Sequence, residues 1–167
     1  MTDGAVVEIG SFRGRSTVAL AFGARAGRSP PVFAVDPHER FIGVLGGVFT
    51  PDDRRRFMQN VVKAGVADIV RLVNLPSVSA ARAWNMPIGL LWIDGDHRLL
   101  PVLQDFSLWE PWVVIGGWIA FHDSLIREID VHRVVELAVA SGHYVRQAVV
   151  GATTVLAKVA AEQEVLA

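Results

Sequence analysis

The sequence contains no cysteine, and this absence excludes several kinds of chemistry. Disulfide bonds, thiolate nucleophiles and zinc sites built on cysteine all require a residue type that the chain lacks. A chain without cysteine is compatible with a reducing compartment, so we expect a cytoplasmic protein.

A dominant charge sign and long hydrophobic runs are missing as well. The 16 basic and 17 acidic residues give a formal net charge of -1, which provides no basic surface for nucleic acid. The apolar run Val113–Phe121 carries two glycines and is far shorter than the about 20 residues of a membrane-spanning helix. We therefore expect neither a nucleic-acid partner nor a membrane partner.

The chain has the length and the apolar content of one compact domain. It has 167 residues, 51% of them hydrophobic, and a mean hydropathy of +0.37. We expect a single domain over residues 1–167, because no repeat, low-complexity tract or linker divides it. Its apolar content would leave surface for a partner subunit, so a homo-oligomer is one expectation.

Short apolar runs alternate with longer segments of helical period, which indicates an α/β fold with a mostly parallel sheet and helices on both faces. The predicted strands are Ala5–Ile9, Val32–Asp36, Ile69–Leu75, Leu90–Asp94 and Gly117–Asp123. The predicted helices are about Arg15–Ala26, Pro51–Ala64, Ser79–Trp84, Pro101–Trp109 and Val131–Ser141.

Two further segments have a distinct pattern. YVRQAVV and TTVLAKV, separated by Gly151-Ala152, predict a C-terminal β-hairpin. The glycine-rich stretch Pro37–Asp53 is long for a connection and predicts a functional loop or lid. At its end, Thr50 fits the N-cap of a helix and Pro51 the first helical position.

Charged residues follow the predicted strands. Glu8, Asp36, Asp94, His122 and Asp123 stand at strand ends, and the segment LLWIDGDH passes from apolar to charged within a few residues. Because ligands of open α/β sheets bind at the carboxyl ends of the strands, this charge predicts a binding site there.

The first turn, EIGSFRGRST, predicts a glycine-rich loop that brings backbone amides close to a ligand. It lacks the GxGxxG spacing of dinucleotide sites and the Gly-Lys-Ser/Thr ending of a phosphate loop. Asp36 ends the second strand, where an acidic residue binds ribose hydroxyls. Since Glu8 would repel phosphate, the pattern favours adenosine attached to a cationic group.

EIGSFRGRST, IDGDH and GGWIAFHD together resemble a class I S-adenosylmethionine-dependent methyltransferase. The resemblance is to the metal-dependent branch that includes macrocin and catechol O-methyltransferases. It implies a Rossmann-like sheet of seven strands ending in an antiparallel hairpin. It also implies methyl transfer to a hydroxyl of a small molecule, a sugar or another polyol of secondary metabolism, with Mg²⁺ or another divalent ion activating that hydroxyl.

The resemblance assigns roles to individual residues. The implied cofactor contacts are Glu8, Gly10, Ser11, Ser16, Thr17, Asp36, His38, Ser77 and Asp94. The implied metal ligands are Asp94, His122 and Asp123, and His97 matches the position of the catalytic base, with Asp94 as the second catalytic residue.

Other interpretations remain open at the level of the sequence. Asp94 and Asp123 could be solvated loop carboxylates, His122 could orient Asp123, and His97 could be structural. The chain could be a non-catalytic subunit that binds S-adenosylmethionine. A nicotinamide-dependent oxidoreductase fits less well, because the glycine spacing and a Tyr-Lys pair are missing and Tyr144 is the only tyrosine.

One departure from the family concerns the cover of the cofactor. Its members usually carry helices ahead of the first strand, whereas four residues precede Ala5 in this sequence. The start could be truncated or misassigned. Otherwise we expect the segment from Pro37 to Thr50, or a second subunit, to cover the cofactor.

Overall fold

The computed structural model of the protein describes residues 3–28 and 30–160, and its elements follow the predicted alternation. The strands are β1 Ala5–Ile9, β2 Val32–Val35, β3 Phe41–Ile42, β4 Val48–Phe49, β5 Val70–Val73, β6 Ile88–Ile93, β7 Val113–Phe121, β8 Tyr144–Val150 and β9 Thr153–Lys158. The α-helices are α1 Arg15–Ala26, α2 Asp52–Lys63, α3 Ser77–Arg82, α4 Leu99–Trp109 and α5 Val131–Ala140.

Seven strands form one sheet in the order β5-β2-β1-β6-β7-β9-β8. The first five of these pair in parallel, and β9 runs antiparallel to both β7 and β8. This architecture confirms the predicted Rossmann-like sheet with a C-terminal antiparallel hairpin. The strand order reverses between β1 and β6, so a ligand crevice is expected at their carboxyl ends.

The two faces of the sheet carry separate cores. On one face, Val6 and Ala34 pack with Phe57 of α2 and with alanines of α1. On the other face, Val7 and residues of β6 and β7 pack with α3, α4 and α5. Because successive strand residues point to opposite faces, the apolar run of β1 supplies both cores.

Several predicted boundaries were wrong by a few residues. Strand β7 begins at Val113, not at Gly117, because the strand continues through Gly116-Gly117 with an irregular register against β6. Strand β5 is shorter than Ile69–Leu75, and α3 and α4 begin two residues earlier than predicted. Apolar character alone does not mark where the backbone pairing stops.

The long connection after β2 contains an antiparallel ribbon that the sequence did not predict. Phe41 pairs with Phe49 and Ile42 with Val48. The predicted cap of the next helix was also wrong, because α2 begins at Asp52 and Thr50 makes no side-chain cap. Instead the Asp53 carboxylate accepts the Thr50 N–H at 2.8 Å.

Within residues 3–28 and 30–160, no helix has the length and apolar character needed to cross a membrane.

Candidate functional site

The carboxyl ends of the central strands are held side by side by one further sheet hydrogen bond each. The residue after each strand donates its backbone N–H to the last carbonyl of the neighbouring strand at 2.8 to 3.1 Å. The residues that donate in this way are Gly10, Asp36, Asp94 and His122. Backbone pairing therefore places the predicted site residues in one row along the sheet edge.

Gly10 brings the glycine-rich loop against the loop after β6. Its φ is +85°, and a Cβ built on it would lie 2.2 Å from the Asp94 carbonyl oxygen. Real side chains do not tolerate such a contact, so the position requires glycine for its backbone conformation and for the close approach. The glycine-rich loop and the Asp94 backbone are thus in direct contact.

Glu8 is a fully buried carboxyl group directly beneath this loop. Its Oε2 accepts a hydrogen bond from the Thr17 hydroxyl. Its Oε1 is buried and has no hydrogen-bond partner among the described residues. Burial raises the pKa of Glu8 from 4.5 to about 7, although the Ser16 and Thr17 hydroxyls act in the opposite direction.

Ser11 also carries a buried hydroxyl oxygen for which residues 3–28 and 30–160 supply no partner. Buried polar atoms normally find hydrogen-bond partners, so the free oxygens of Glu8 and Ser11 are suited to a bound polar ligand. Their polar character is compatible with the predicted cationic methionine portion of S-adenosylmethionine, and the contact itself stays a prediction.

Asp36 anchors the glycine-rich loop through its carboxylate. Oδ2 accepts the backbone N–H groups of Ser11 at 2.9 Å and Phe12 at 2.8 Å. Oδ1 accepts the N–H of His38 at 2.8 Å, which leaves it one further lone pair. The side chain is 17% exposed, and ribose binding by Asp36 stays a prediction.

His38 and Ser77 make contacts that explain their positions. The His38 ring is buried, and its Nε2 lies 2.7 Å from the Phe12 carbonyl oxygen, so the ring supports the loop from behind. The Ser77 hydroxyl accepts a hydrogen bond from Trp109 Nε1 at 2.8 Å. These contacts within the protein do not test whether His38 and Ser77 also contact adenosine, which stays a prediction.

Asp94, His97, His122 and Asp123 form the second part of the site. One ligand atom from each of these side chains lies within 4.8 Å of the other three. Nδ1 of His122 is 3.1 Å from Asp94 Oδ1 and 3.3 Å from Asp123 Oδ1. Nε2 of His97 is 3.4 Å from Asp94 Oδ1 and 3.9 Å from Asp123 Oδ2. We call these four residues the His-Asp cluster.

The charges of the His-Asp cluster support one another. Burial acts to raise the pKa of Asp94, but His122 and His97 outweigh it and the pKa is lowered. Asp94 in turn raises the pKa of His122 against the effect of burial. Asp123 has a φ of 54°, a left-handed backbone conformation that is uncommon for residues other than glycine, so the turn that carries this carboxylate is strained.

Asp96, which lies between Asp94 and His97, takes no part in the cluster. The two oxygens of its carboxylate share the single Nε–H of Arg98, at 3.0 and 2.8 Å, and Oδ1 also accepts the Arg98 backbone N–H at 3.1 Å. Asp96 is therefore a hydrogen-bonding loop residue.

Two features near the site were not predicted. Asp105 is buried on α4, and a Cβ on Gly95 would lie 3.1 Å from its Oδ2. Burial raises the pKa of Asp105 to about 6. The signal in the sequence is the spacing of Asp105, which stands three residues after the apolar Val102 and four residues before the apolar Trp109. Residues at these spacings share one helix face, so Asp105 could have been expected on the buried face of α4.

The ribbon after β2 packs on the tip of the glycine-rich loop. The Phe12 and Phe49 rings meet edge to face at 4.9 Å, and Phe41 lies 5.3 Å from Phe49. The predicted loop or lid thus contacts the glycine-rich loop through aromatic rings, a contact that spacing along the sequence does not reveal.

The comparison with known families identifies the chain. A family model described as a methyltransferase domain matches residues 7–124, which is more than half of the chain and includes both parts of the site. The chain belongs to this methyltransferase family, which confirms the class of enzyme that the motifs predicted.

Solved structures with the same fold include O-methyltransferases. CalS11, described as a TDP-rhamnose 3'-O-methyltransferase of calicheamicin biosynthesis, is 17% identical with a TM-score of 0.67 over 93% of this chain and 72% of that chain. The O-methyltransferase NovP is 16% identical with a TM-score of 0.72 over 95% and 73%. The SAH-bound methyltransferase PaMTH1 of Podospora anserina is 13% identical with a TM-score of 0.70 over 92% and 71%. These likenesses show the fold.

A curated relative matches over a shorter stretch. Thirty-six residues are 50% identical to an uncharacterised protein of Acanthamoeba polyphaga mimivirus, and they represent 22% of this chain and 16% of that protein. The match therefore spans well under two thirds of the relative.

Proposed function

We propose that the protein transfers a methyl group from S-adenosylmethionine to a hydroxyl group of a small molecule, with a divalent metal ion bound by the His-Asp cluster. The observation that carries this proposal is the double role of Asp94. Its backbone carbonyl lies against Gly10 of the cofactor loop, while its carboxylate belongs to the His-Asp cluster. A methyl donor and an acceptor bound at these two parts would be neighbours.

The residues of the chain supply binding and orientation for this reaction. The free oxygens of Glu8 and Ser11 would hold the methionine portion, and Asp36 would accept a ribose hydroxyl. The acceptor oxygen attacks the methyl carbon, and the electron pair of the breaking carbon–sulfur bond stays on sulfur, which gives S-adenosylhomocysteine. Holding the two reactants in line is the main contribution of the protein.

A divalent ion in the His-Asp cluster would lower the pKa of an acceptor hydroxyl and fix its direction. The family resemblance implies that His97 accepts the proton of the acceptor hydroxyl. In the structure, Nε2 of His97 lies in the cluster at 3.4 Å from Asp94 Oδ1, so proton acceptance and metal ligation compete for one lone pair.

The acceptor class that fits this arrangement is a sugar or another polyol, because two adjacent oxygens can chelate one ion. The fold shared with CalS11, described as acting on TDP-rhamnose, supports this choice. The near-zero net charge, from 16 basic and 17 acidic residues, argues against a nucleic-acid acceptor.

The test is transfer of a labelled methyl group from S-adenosylmethionine to a panel of sugars, polyols and catechols, with and without a chelator. We expect transfer to at least one vicinal diol that the chelator abolishes and that added divalent metal restores. Asp123→Asn should lose transfer but still bind S-adenosylhomocysteine, while Asp68→Asn, an exposed control, should retain both. Chelator-resistant transfer would refute the metal part, and cofactor binding without any transfer would favour a non-catalytic subunit.

A further inference from the structure

We infer that the His-Asp cluster binds a first-row transition-metal ion, such as Co²⁺, Ni²⁺ or Zn²⁺, in preference to Mg²⁺. In this assignment, His97 Nε2 and His122 Nδ1 are ligands beside the carboxylates of Asp94 and Asp123. The inference rests on the proposed function, because the ion serves the same acceptor site.

Three of the four nitrogen–oxygen distances in the cluster match the spacing of ligands around one ion, and the fourth, from His97 Nε2 to Asp123 Oδ2, is longer at 3.9 Å. Atoms bound at about 2.1 Å lie about 3.0 Å apart at the right angles of an octahedron and about 3.4 Å apart in a tetrahedron. Nδ1 of His122 lies 3.1 and 3.3 Å from oxygens of Asp94 and Asp123. Nε2 of His97 lies 3.4 Å from the same Asp94 oxygen.

The two imidazole nitrogens are also the atoms that lack other partners. His97 Nε2 and His122 Nδ1 are buried, and neither makes a hydrogen bond with any residue that the structure describes. Two buried nitrogens facing two carboxylates are suited to share a cation.

The kinds of donor atom then select the ion. Mg²⁺ is a hard cation that binds oxygen ligands and water in octahedral geometry. Imidazole nitrogen suits Zn, Fe, Ni and Cu, and affinity for mixed nitrogen and oxygen sites rises along the first transition series to copper. A site of two imidazoles and two carboxylates therefore fits a transition-metal ion better than Mg²⁺.

This assignment changes the role of His97. A ring nitrogen whose lone pair is bound to a metal ion does not accept a proton, so His97 would not be the base of the loaded enzyme. Activation of the hydroxyl would then fall to the ion alone, with its proton released to water.

The test is a calorimetric titration of the metal-free protein with CoCl₂ and, separately, with MgCl₂. The wild type is compared with His97→Ala, His122→Ala and, as a matched control, His143→Ala, whose ring lies outside the cluster. Because transition-metal ions bind many donor sets tightly, the affinity ratio alone is not decisive. The decisive quantity is how much each variant loses for each ion.

We expect the wild type to bind Co²⁺ at least about 100-fold more tightly than Mg²⁺. Each cluster variant should lose at least about tenfold in Co²⁺ affinity and less than about threefold in Mg²⁺ affinity, with His143→Ala unchanged. Pulsed electron paramagnetic resonance of the Mn²⁺-loaded wild type should show coupling to imidazole nitrogen, and this coupling should decrease in either cluster variant.

Equal losses for both ions, or Co²⁺ affinity unchanged in His97→Ala and His122→Ala, would overturn the inference. If Co²⁺ affinity is unchanged in those variants while Mg²⁺ binds the wild type and supports methyl transfer, the proposed function stands and the assignment of the ion fails. If neither ion binds the folded wild type, while S-adenosylhomocysteine still binds, the inference and the metal part of the proposed function fail together.

Discussion

Replacing Glu8 with glutamine is expected to remove a pH-dependent loss of stability from the cofactor-free protein. Glu8 is fully buried, and its pKa is raised from 4.5 to about 7 chiefly by that burial. An acid with a raised pKa holds its proton more tightly in the folded state than in the unfolded state. The folded protein therefore loses stability as the pH rises from about 4.5, and the loss is complete above about pH 7.

The magnitude follows from the two pKa values. At about 1.4 kcal/mol for each pKa unit, the full effect is about 3 kcal/mol, of which about 2.5 kcal/mol falls between about pH 5 and pH 8. Glutamine keeps an oxygen that accepts the Thr17 hydroxyl but does not ionise. The variant should therefore gain relative to the wild type as the pH rises.

The assay is urea unfolding of the wild type and Glu8→Gln at several pH values across this range. Taking the difference between the two proteins at each pH cancels the titration of other groups. Glu39→Gln, at an exposed position, controls for the loss of one acidic side chain. A difference in free energy of unfolding between wild type and Glu8→Gln that is constant with pH would refute the reasoning.

Two other sites give matched predictions. Gly10→Ala should abolish S-adenosylhomocysteine binding in calorimetry, because its Cβ would meet the Asp94 carbonyl, and normal binding by this variant would contradict the loop contact. Gly46 has a similar φ of +82° but nothing within 4 Å of an added Cβ, so Gly46→Ala should cost only about 1 kcal/mol in urea unfolding. Lys158→Met should destabilise the protein by about 3 kcal/mol or more in urea unfolding, because it leaves Glu110 without the buried Lys158 ammonium that lies 2.8 Å from its Oε2. Adding Glu110→Gln to Lys158→Met should recover part of that loss, and additive effects in the double variant would show that the pair is not coupled.

The parallel sheet and the row of charged residues at its edge could be predicted because apolar runs alternate with helical segments along the sequence. The boundaries of β1 and α1 agree with the prediction, since a turn with Gly10 and Gly14 separates a short apolar run from an alanine-rich segment. The start of β7 could not be placed, because Gly116-Gly117 is typical of a turn.

The proximity of the charged residues at the sheet edge could be predicted from the sequence, whereas their contacts could not. Glu8, Asp36 and Asp94 lie at adjacent strand ends as expected, because parallel strands bring their carboxyl ends to one edge. Asp36 bonding to the loop amides and His97 lying among the predicted metal ligands depend on side-chain directions across separate loops. Such directions follow from tertiary packing, which spacing along the chain does not encode.

Calorimetric titration of the purified protein with S-adenosylhomocysteine tests the central claim most directly, with Asp36→Asn measured beside it. We predict binding in the micromolar range by the wild type and a loss of at least about tenfold in Asp36→Asn, which keeps the size of the side chain but loses its charge. No binding by the folded wild type at millimolar ligand would contradict the assignment of the glycine-rich loop as the cofactor site.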